Sequence, residues 1–254
     1  MSVMTAPTML DALLTPGVLS TRFQPIIEET DGRARVFAFE CLTRGPAGTN
    51  FASADVLFEY ARRMGGECML DRACAAQALV TGSAIADCDF SINIHASTLG
   101  RDRGFVRDLA AVARACGVDA KRIIIEIVEH APPASRRDFL TSLCELRAQG
   151  FRVALDDVGL GHSNFKMMID CVPDYLKVDR LFTHGAYRDP FRAAVLESVT
   201  GFARRVDTRV IAEGIEDDDD RTFLRNLGVE LLQGYLYARP MRIDDAKFFR
   251  ATTE

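Results

Sequence analysis

From residue 22 onward the chain alternates short β-branched or aromatic runs with longer segments whose apolar residues recur at helical spacing. That order restricts it to an α/β fold around a largely parallel sheet. Eight runs read as strands, near residues 22–28, 36–44, 89–95, 122–129, 151–157, 175–180, 208–213 and 230–237. Helical patterns lie near 53–81, 102–116, 135–148, 163–171, 190–205, 218–227 and 243–250. Ser135 reads as an N-cap, and Gly117, Gly150 and Gly228 fall just past helices. Only Glu29 to Arg35 separate the first two strands, room for a hairpin but not for a crossover, so one strand must run antiparallel to the other. The remaining units, six or seven in about 210 residues, fit a (β/α) barrel better than an open sheet. The expected architecture is therefore a modified TIM-type barrel with one antiparallel strand. Residues 1–20 read as an arm and 21–254 as a single barrel domain, with neither a Pro/Gly/Ser-rich linker nor a fixed-period repeat.

Parallel strands covered on both faces should be almost continuously apolar. These are not. Glu40 follows Phe37-Ala38-Phe39, Asn93 sits between Ile92 and Ile94, and Glu126 follows Ile123-Ile124-Ile125. Asp156-Asp157 follows Val153-Ala154-Leu155, Lys177 lies between Leu176 and Val178, Glu213 follows Val210-Ile211-Ala212, and Gln233 follows Leu231-Leu232. The C-terminal ends of barrel strands share one mouth, so these groups should converge. Unpaired buried carboxylates cost several kcal/mol each, and Lys177 alone cannot neutralise Glu40, Glu126, Asp156, Asp157 and Glu213. Carboxylates with an amide oxygen, and no matching His or Cys set, suit Mg²⁺ or Mn²⁺. Asp156 and Asp157 can reach one site only where the strand ends and a turn begins. There are carboxylates enough for two ions, the arrangement that promotes phosphoryl displacement by water.

With 36 acidic against 31 basic residues and a net charge of −5, the chain has no overall field to attract a polyanion, so DNA or an anionic membrane is not an expected partner. Seven cysteines without CxxC spacing predict reduced thiols. No export signal or membrane span is visible, and a cytoplasmic location is expected.

The runs Phe39-Glu40-Cys41-Leu42-Thr43-Arg44, Ser91-Ile92-Asn93-Ile94, Glu126-Ile127-Val128-Glu129, Asp156-Asp157-Val158-Gly159, Lys177-Val178-Asp179, Ala212-Glu213-Gly214-Ile215-Glu216 and Gln233-Gly234-Tyr235 occur in order over residues 22–241. Together they resemble the EAL-domain cyclic-di-GMP phosphodiesterases of bacteria. The resemblance implies hydrolysis of cyclic-di-GMP to linear 5′-pGpG with two Mg²⁺ or Mn²⁺ ions, and a homodimer. It implies that Glu40, Asn93, Glu126 and Asp156 hold one ion, and that Asp156, Asp157 and Glu213 hold the other. Lys177, Glu213 and Asp157 would act at the reacting phosphate, while Arg44, Leu42 and Gln233 would bind substrate. Glu129 would anchor the loop after Asp157. Two departures from the family pattern stand out: Cys41 replaces the usual Ala, and Val158 and Leu160 replace the usual Phe and Thr/Ala. A second reading is accordingly a cyclic-di-GMP receptor or protein-interaction regulator with little turnover. A third is a metal-dependent barrel lyase with Lys177 as base.

Other features have simpler structural readings. Gly159-Leu160-Gly161 reads as a turn, Asp217 to Asp220 as the acidic start of a helix, Met167 and Met168 as packing, and His130 and His184 as loop residues. His95 and His162 are placed near the mouth.

Overall fold

In the computed structural model, which describes residues 8–86, 88–128, 133–159 and 165–251, eight strands close into a barrel in chain order. They are β1 (Ser20–Thr30), β2 (Arg33–Arg44), β3 (Asp89–His95), β4 (Ile123–Val128), β5 (Arg152–Leu155), β6 (Tyr175–Val178), β7 (Arg209–Ala212) and β8 (Leu231–Leu232). β1 and β2 form the expected hairpin, with Ser20 opposite Arg44 and Thr30 opposite Arg33. β1 closes antiparallel onto β8 through Ile27 and Leu232, while β2 to β8 pair parallel. The short first connection thus fixes the one antiparallel strand.

The helices are α1 (Met9–Leu13), α2 (Ala54–Arg63), α3 (Glu67–Gly82), α4 (Ala96–Leu99), α5 (Phe105–Ala115), α6 (Arg136–Gln149), α7 (Phe165–Cys171), α8 (Arg180–Thr183), α9 (Pro190–Arg205), α10 (Asp218–Asn226) and α11 (Ile243–Ala246). Ser135 caps α6 by accepting from the Asp138 amide, and Gly150 ends it in the left-handed conformation. Among the described residues no helix is long and apolar enough to cross a membrane, and all seven cysteines are free.

Strand periodicity sorts the core into two layers. One face of the strands, including Phe39, Ile92, Ile125, Val153, Leu176 and Leu232, packs outward against the helices. The alternate positions Ile26, Phe37, Ala38, Ile124, Ala154, Tyr175, Ile211 and Leu231 fill the barrel interior. Burying each large apolar side chain contributes roughly 1.5–3 kcal/mol. At the N-terminal ends of the strands, Phe37 packs on Tyr175 with ring centroids 5.5 Å apart, beneath the guanidinium groups of Arg152 and Arg209. This end is plugged.

Two expectations need correction. The helix expected over 53–81 is two helices, because Gly65 adopts φ +70° and breaks the run between α2 and α3. The eighth strand, expected over 230–237, is paired only at Leu231–Leu232. There Gly234 abuts the backbone of Ile215, where a Cβ would lie 2.0 Å from the Ile215 carbonyl oxygen, and the chain turns away. β2 continues to Arg44, the expected end of that strand, because β1 keeps pairing with it after β3 has separated at Cys41. Within the segment read as an arm, α1 buries Leu10 and Leu13 with Leu19, Leu57, Ala61 and Leu70.

Candidate active site

The mouth is built by moving one pleat repeat up from the apolar plug. Ala38, Ile124, Ala154, Tyr175, Ile211 and Leu231 each lie two residues before Glu40, Glu126, Asp156, Lys177, Glu213 and Gln233. Residues i and i+2 on a strand share a face, so the interior face changes from apolar to charged in one step. Asp156 and Asp157 follow the end of β5, and Asp157 adopts φ +52° in the turn. This is the geometry two adjacent acids need to serve one site.

Lys177 sits at the centre, 1% exposed. Its Nζ lies 2.7 Å from Glu126 Oε2, 2.7 Å from Glu213 Oε1, 3.4 Å from Asp156 Oδ1 and 3.5 Å from Glu40 Oε1. Asn93 Nδ2 donates to Glu40 Oε1 at 2.9 Å, and Gln233 Nε2 donates to Glu40 Oε2 at 2.7 Å. The Ser91 hydroxyl donates to Glu126. Sequence reasoning missed Ser91, although it lies two residues before Asn93 and therefore on the same face of β3.

One ammonium does not satisfy this many acids, and burial and mutual repulsion, against the pull of Lys177, displace their pKa values in opposite directions. Burial raises the Glu40 carboxyl, but the Lys177 charge and the Asn93 and Gln233 donors outweigh it and hold the group below its usual range. Burial, reinforced by Glu40 and Asp156, drives Glu126 well above its usual range despite Lys177. Burial pushes Glu213 up to about 8, with Lys177 opposing and Asp156 adding to the rise. Asp157 is pushed up to about 6 by burial and by the charges of Asp156 and Asp179. Burial lowers Lys177, but four carboxylates prevail and raise it well above the usual lysine range. A lysine held protonated in this way is a poor base, which counts against the lyase reading.

The donor set fits divalent cations. Asp156, Asp157 and Glu213 each offer a carboxylate oxygen, all within 4.8 Å of one another. Asn93 Oδ1 is buried without a hydrogen-bond partner among the described residues, a lone pair left for a ligand. Glu40, Glu126 and Asp156, the other expected ligands beside Asn93, are drawn together around Lys177.

Beside the acids opens a cleft of about 530 Å³. Leu42 and Arg44 line it, as does His95, which was placed at the mouth. Arg44 is half-buried, and its Nη1 donates to the Thr43 carbonyl at 2.8 Å. Gln233 lies on the other side of Glu40, in a smaller cavity shared with Glu213. Glu129, Leu160, Gly161 and His162 lie outside the described residues. Asp217 caps α10 as the acidic run implied, and its side chain accepts from the Asp220 amide.

Fold and site together define an α/β barrel whose mouth is an acid cluster suited to divalent cations. The EAL domain sequence profile matches residues 8–240, and the chain belongs to the EAL domain family. The cyclic di-GMP phosphodiesterase RocR of Pseudomonas aeruginosa is 31% identical over 153 residues, covering 60% of this chain and 39% of that protein. Klebsiella pneumoniae BlrP1, solved with calcium and cyclic-di-GMP, superposes with a TM-score of 0.80 at 26% identity, covering 95% of this chain and 59% of the other. The PaMucR phosphodiesterase in complex with cyclic-di-GMP gives a TM-score of 0.81 over 93% of this chain and 97% of the other, a likeness of fold at 22% identity. The chain spans well under half the length of the curated relatives it matches.

Proposed function

We propose that this chain hydrolyses cyclic-di-GMP to 5′-pGpG, using two divalent cations, Mg²⁺ or Mn²⁺. The observation that carries the reading is the convergence of Glu40, Glu126, Asp156 and Glu213 within 3.5 Å of one buried lysine, beside an open cleft. Glu40, Asn93, Glu126 and Asp156 would hold one ion, and Asp156, Asp157 and Glu213 the other. Bound there, such ions lower the pKa of water and offset charge on the phosphoryl oxygens. The chain's own groups do the rest. Arg44 binds a non-bridging phosphate oxygen, and Leu42 and Gln233 confine the substrate. Lys177 keeps its proton on Nζ and faces the charge that develops at phosphorus. Asp157 and Glu213 would take up the proton that leaves the attacking water. The water oxygen joins phosphorus and the bond to the ribose 3′-oxygen breaks, which leaves the phosphate on the 5′ side.

The same reading includes a cytoplasmic barrel domain over residues 21–254 with an arm before it, and a homodimer. Phe165, Ile169 and Val172, exposed and about one turn apart on and just after α7, supply an apolar face for such pairing. The receptor reading rests on the altered turn, where Val158 and Leu160 stand in place of the family's Phe and Thr/Ala. Separating product from substrate by chromatography after incubation with Mg²⁺ or Mn²⁺ decides between turnover and binding alone.

Metal binding should also be visible in stability. In the metal-free fold Asp157 and Glu213 hold protons that the unfolded chain releases near pH 4. Their contribution to stability is full below that pH and is lost as pH rises through about 6 and then about 8. Cations replace those protons, so saturating Mn²⁺ should raise Tm more at about pH 8.5 than at about pH 6. An equal or smaller rise at the higher pH in a thermal-shift assay contradicts this.

A further inference from the structure

The cleft extends beyond the acids, and its far wall is one face of α2. Asp55, Phe58, Glu59 and Arg62 line it at the i, i+3, i+4 and i+7 spacing of a single helical stripe. The opposite side of α2 buries Leu57 and Ala61, so the stripe is held rigidly. Behind it lies a polar network that the hydrolytic chemistry does not use. Arg62 Nε donates to Glu67 Oε1 at 2.8 Å and Nη1 to Glu59 Oε2 at 3.0 Å, while Nη2 has no hydrogen-bond partner among the described residues. Glu67, with its side chain 7% exposed, also accepts from the Ser97 hydroxyl. Phe58 packs on His95 with ring centroids 4.6 Å apart, and His95 Nδ1 lies 3.0 Å from the fully buried Asp71. A buried carboxylate thus fixes the guanidinium, and a buried imidazole fixes the ring.

A ring face, a guanidinium and two exposed carboxylates on one stripe match a purine base better than a phosphate. Asp55, Glu59 and Glu67 repel an anion near Arg62. Guanine offers adjacent acceptors at O6 and N7, which pair with an arginine, and adjacent donors at N1 and N2, which pair with a carboxylate. Adenine presents its 6-amino group where the arginine needs an acceptor, and it has no N1–H. Any base can stack on Phe58. We propose that the α2 stripe is a guanine-base subsite in which Arg62 sets specificity, a proposal that rests on the cyclic-di-GMP reading.

The test compares initial-rate kcat/KM for cyclic-di-GMP, cyclic-di-AMP and the base-free diester bis(p-nitrophenyl) phosphate in wild type, Arg62→Ala and Phe58→Ala, all with Mn²⁺. If wild type binds without turnover, the same comparison is read from Kd. Arg62→Ala should raise KM for cyclic-di-GMP about tenfold or more, keep kcat within about twofold, and remove most of the preference over cyclic-di-AMP. It should leave cleavage of the base-free diester unchanged. Phe58→Ala should weaken both cyclic dinucleotides alike. Wild-type selectivity in Arg62→Ala overturns the subsite while the phosphodiesterase reading stands, as does an equal loss on all three substrates, the mark of a merely structural arginine. Wild type that neither binds nor cleaves cyclic-di-GMP overturns the parent reading as well.

Discussion

Lys177→Met should lower hydrolysis of cyclic-di-GMP by about 10²–10³-fold and destabilise the metal-free protein by about 3–5 kcal/mol. Methionine keeps the length of the stem but removes the ammonium that lies within 3.5 Å of Glu40, Glu126, Asp156 and Glu213. Two consequences follow from one deletion. The phosphate loses the fixed charge opposite its developing negative charge, and the acids lose the cation that offsets the negative charge they carry in a buried site. The stability loss should shrink when Mn²⁺ is added, because divalent cations neutralise the same carboxylates. Denaturant melts with and without Mn²⁺, alongside turnover, read both effects. Wild-type turnover in this variant contradicts the role given to Lys177.

Asp156→Asn should separate function from stability in the opposite way. Asp156 is the expected shared ligand of both ions, so its loss should reduce turnover by at least about 10³-fold and abolish most of the metal-induced rise in Tm. The metal-free protein should be no less stable than wild type, since one negative charge leaves a cluster in which Asp156 raises Asp157, Glu126 and Glu213. The Asp157 carboxyl should move back toward its ordinary range, although burial, the larger cause of its shift, remains. A variant that folds poorly without metal and still responds to Mn²⁺ like wild type would place Asp156 in the scaffold instead of the metal centre.

The barrel and the acid cluster were legible because both follow from period-two patterning. A polar residue at the end of an apolar strand stands out, and barrel closure brings such residues together even though Glu40 and Gln233 are separated by most of the chain. The short link between the first two strands likewise left a single pairing sense. Less was readable where the decisive contact is non-local. Gly65 lies inside a helical pattern and breaks it at φ +70°, which sets Gly66 against Leu10 of α1, where a Cβ would lie 2.2 Å from Leu10 Cδ2. The end of β8 depends on Gly234 touching Ile215, a contact that no local pattern encodes. Ser91 was within reach of the same periodicity that gave Asn93, but a serine beside isoleucines reads as ordinary strand. Asp55, Phe58, Glu59 and Arg62 read as a solvated helix face, since only the tertiary position of α2 shows which exposed stripe looks into the cleft.

As proposed, the acid cluster of this chain is a working phosphodiester-cleaving centre. Its most direct test is cyclic-di-GMP turnover by purified wild type and by Glu40→Ala, each with Mg²⁺ or Mn²⁺, followed by chromatography and mass spectrometry of the product. Glu40 is the carboxylate that Asn93, Gln233 and Lys177 together position. Wild type should give 5′-pGpG, and a Glu40→Ala protein that still folds should lose nearly all turnover. Cyclic-di-GMP left intact by wild type over hours, or 5′-pGpG formed equally fast by Glu40→Ala, contradicts the proposal.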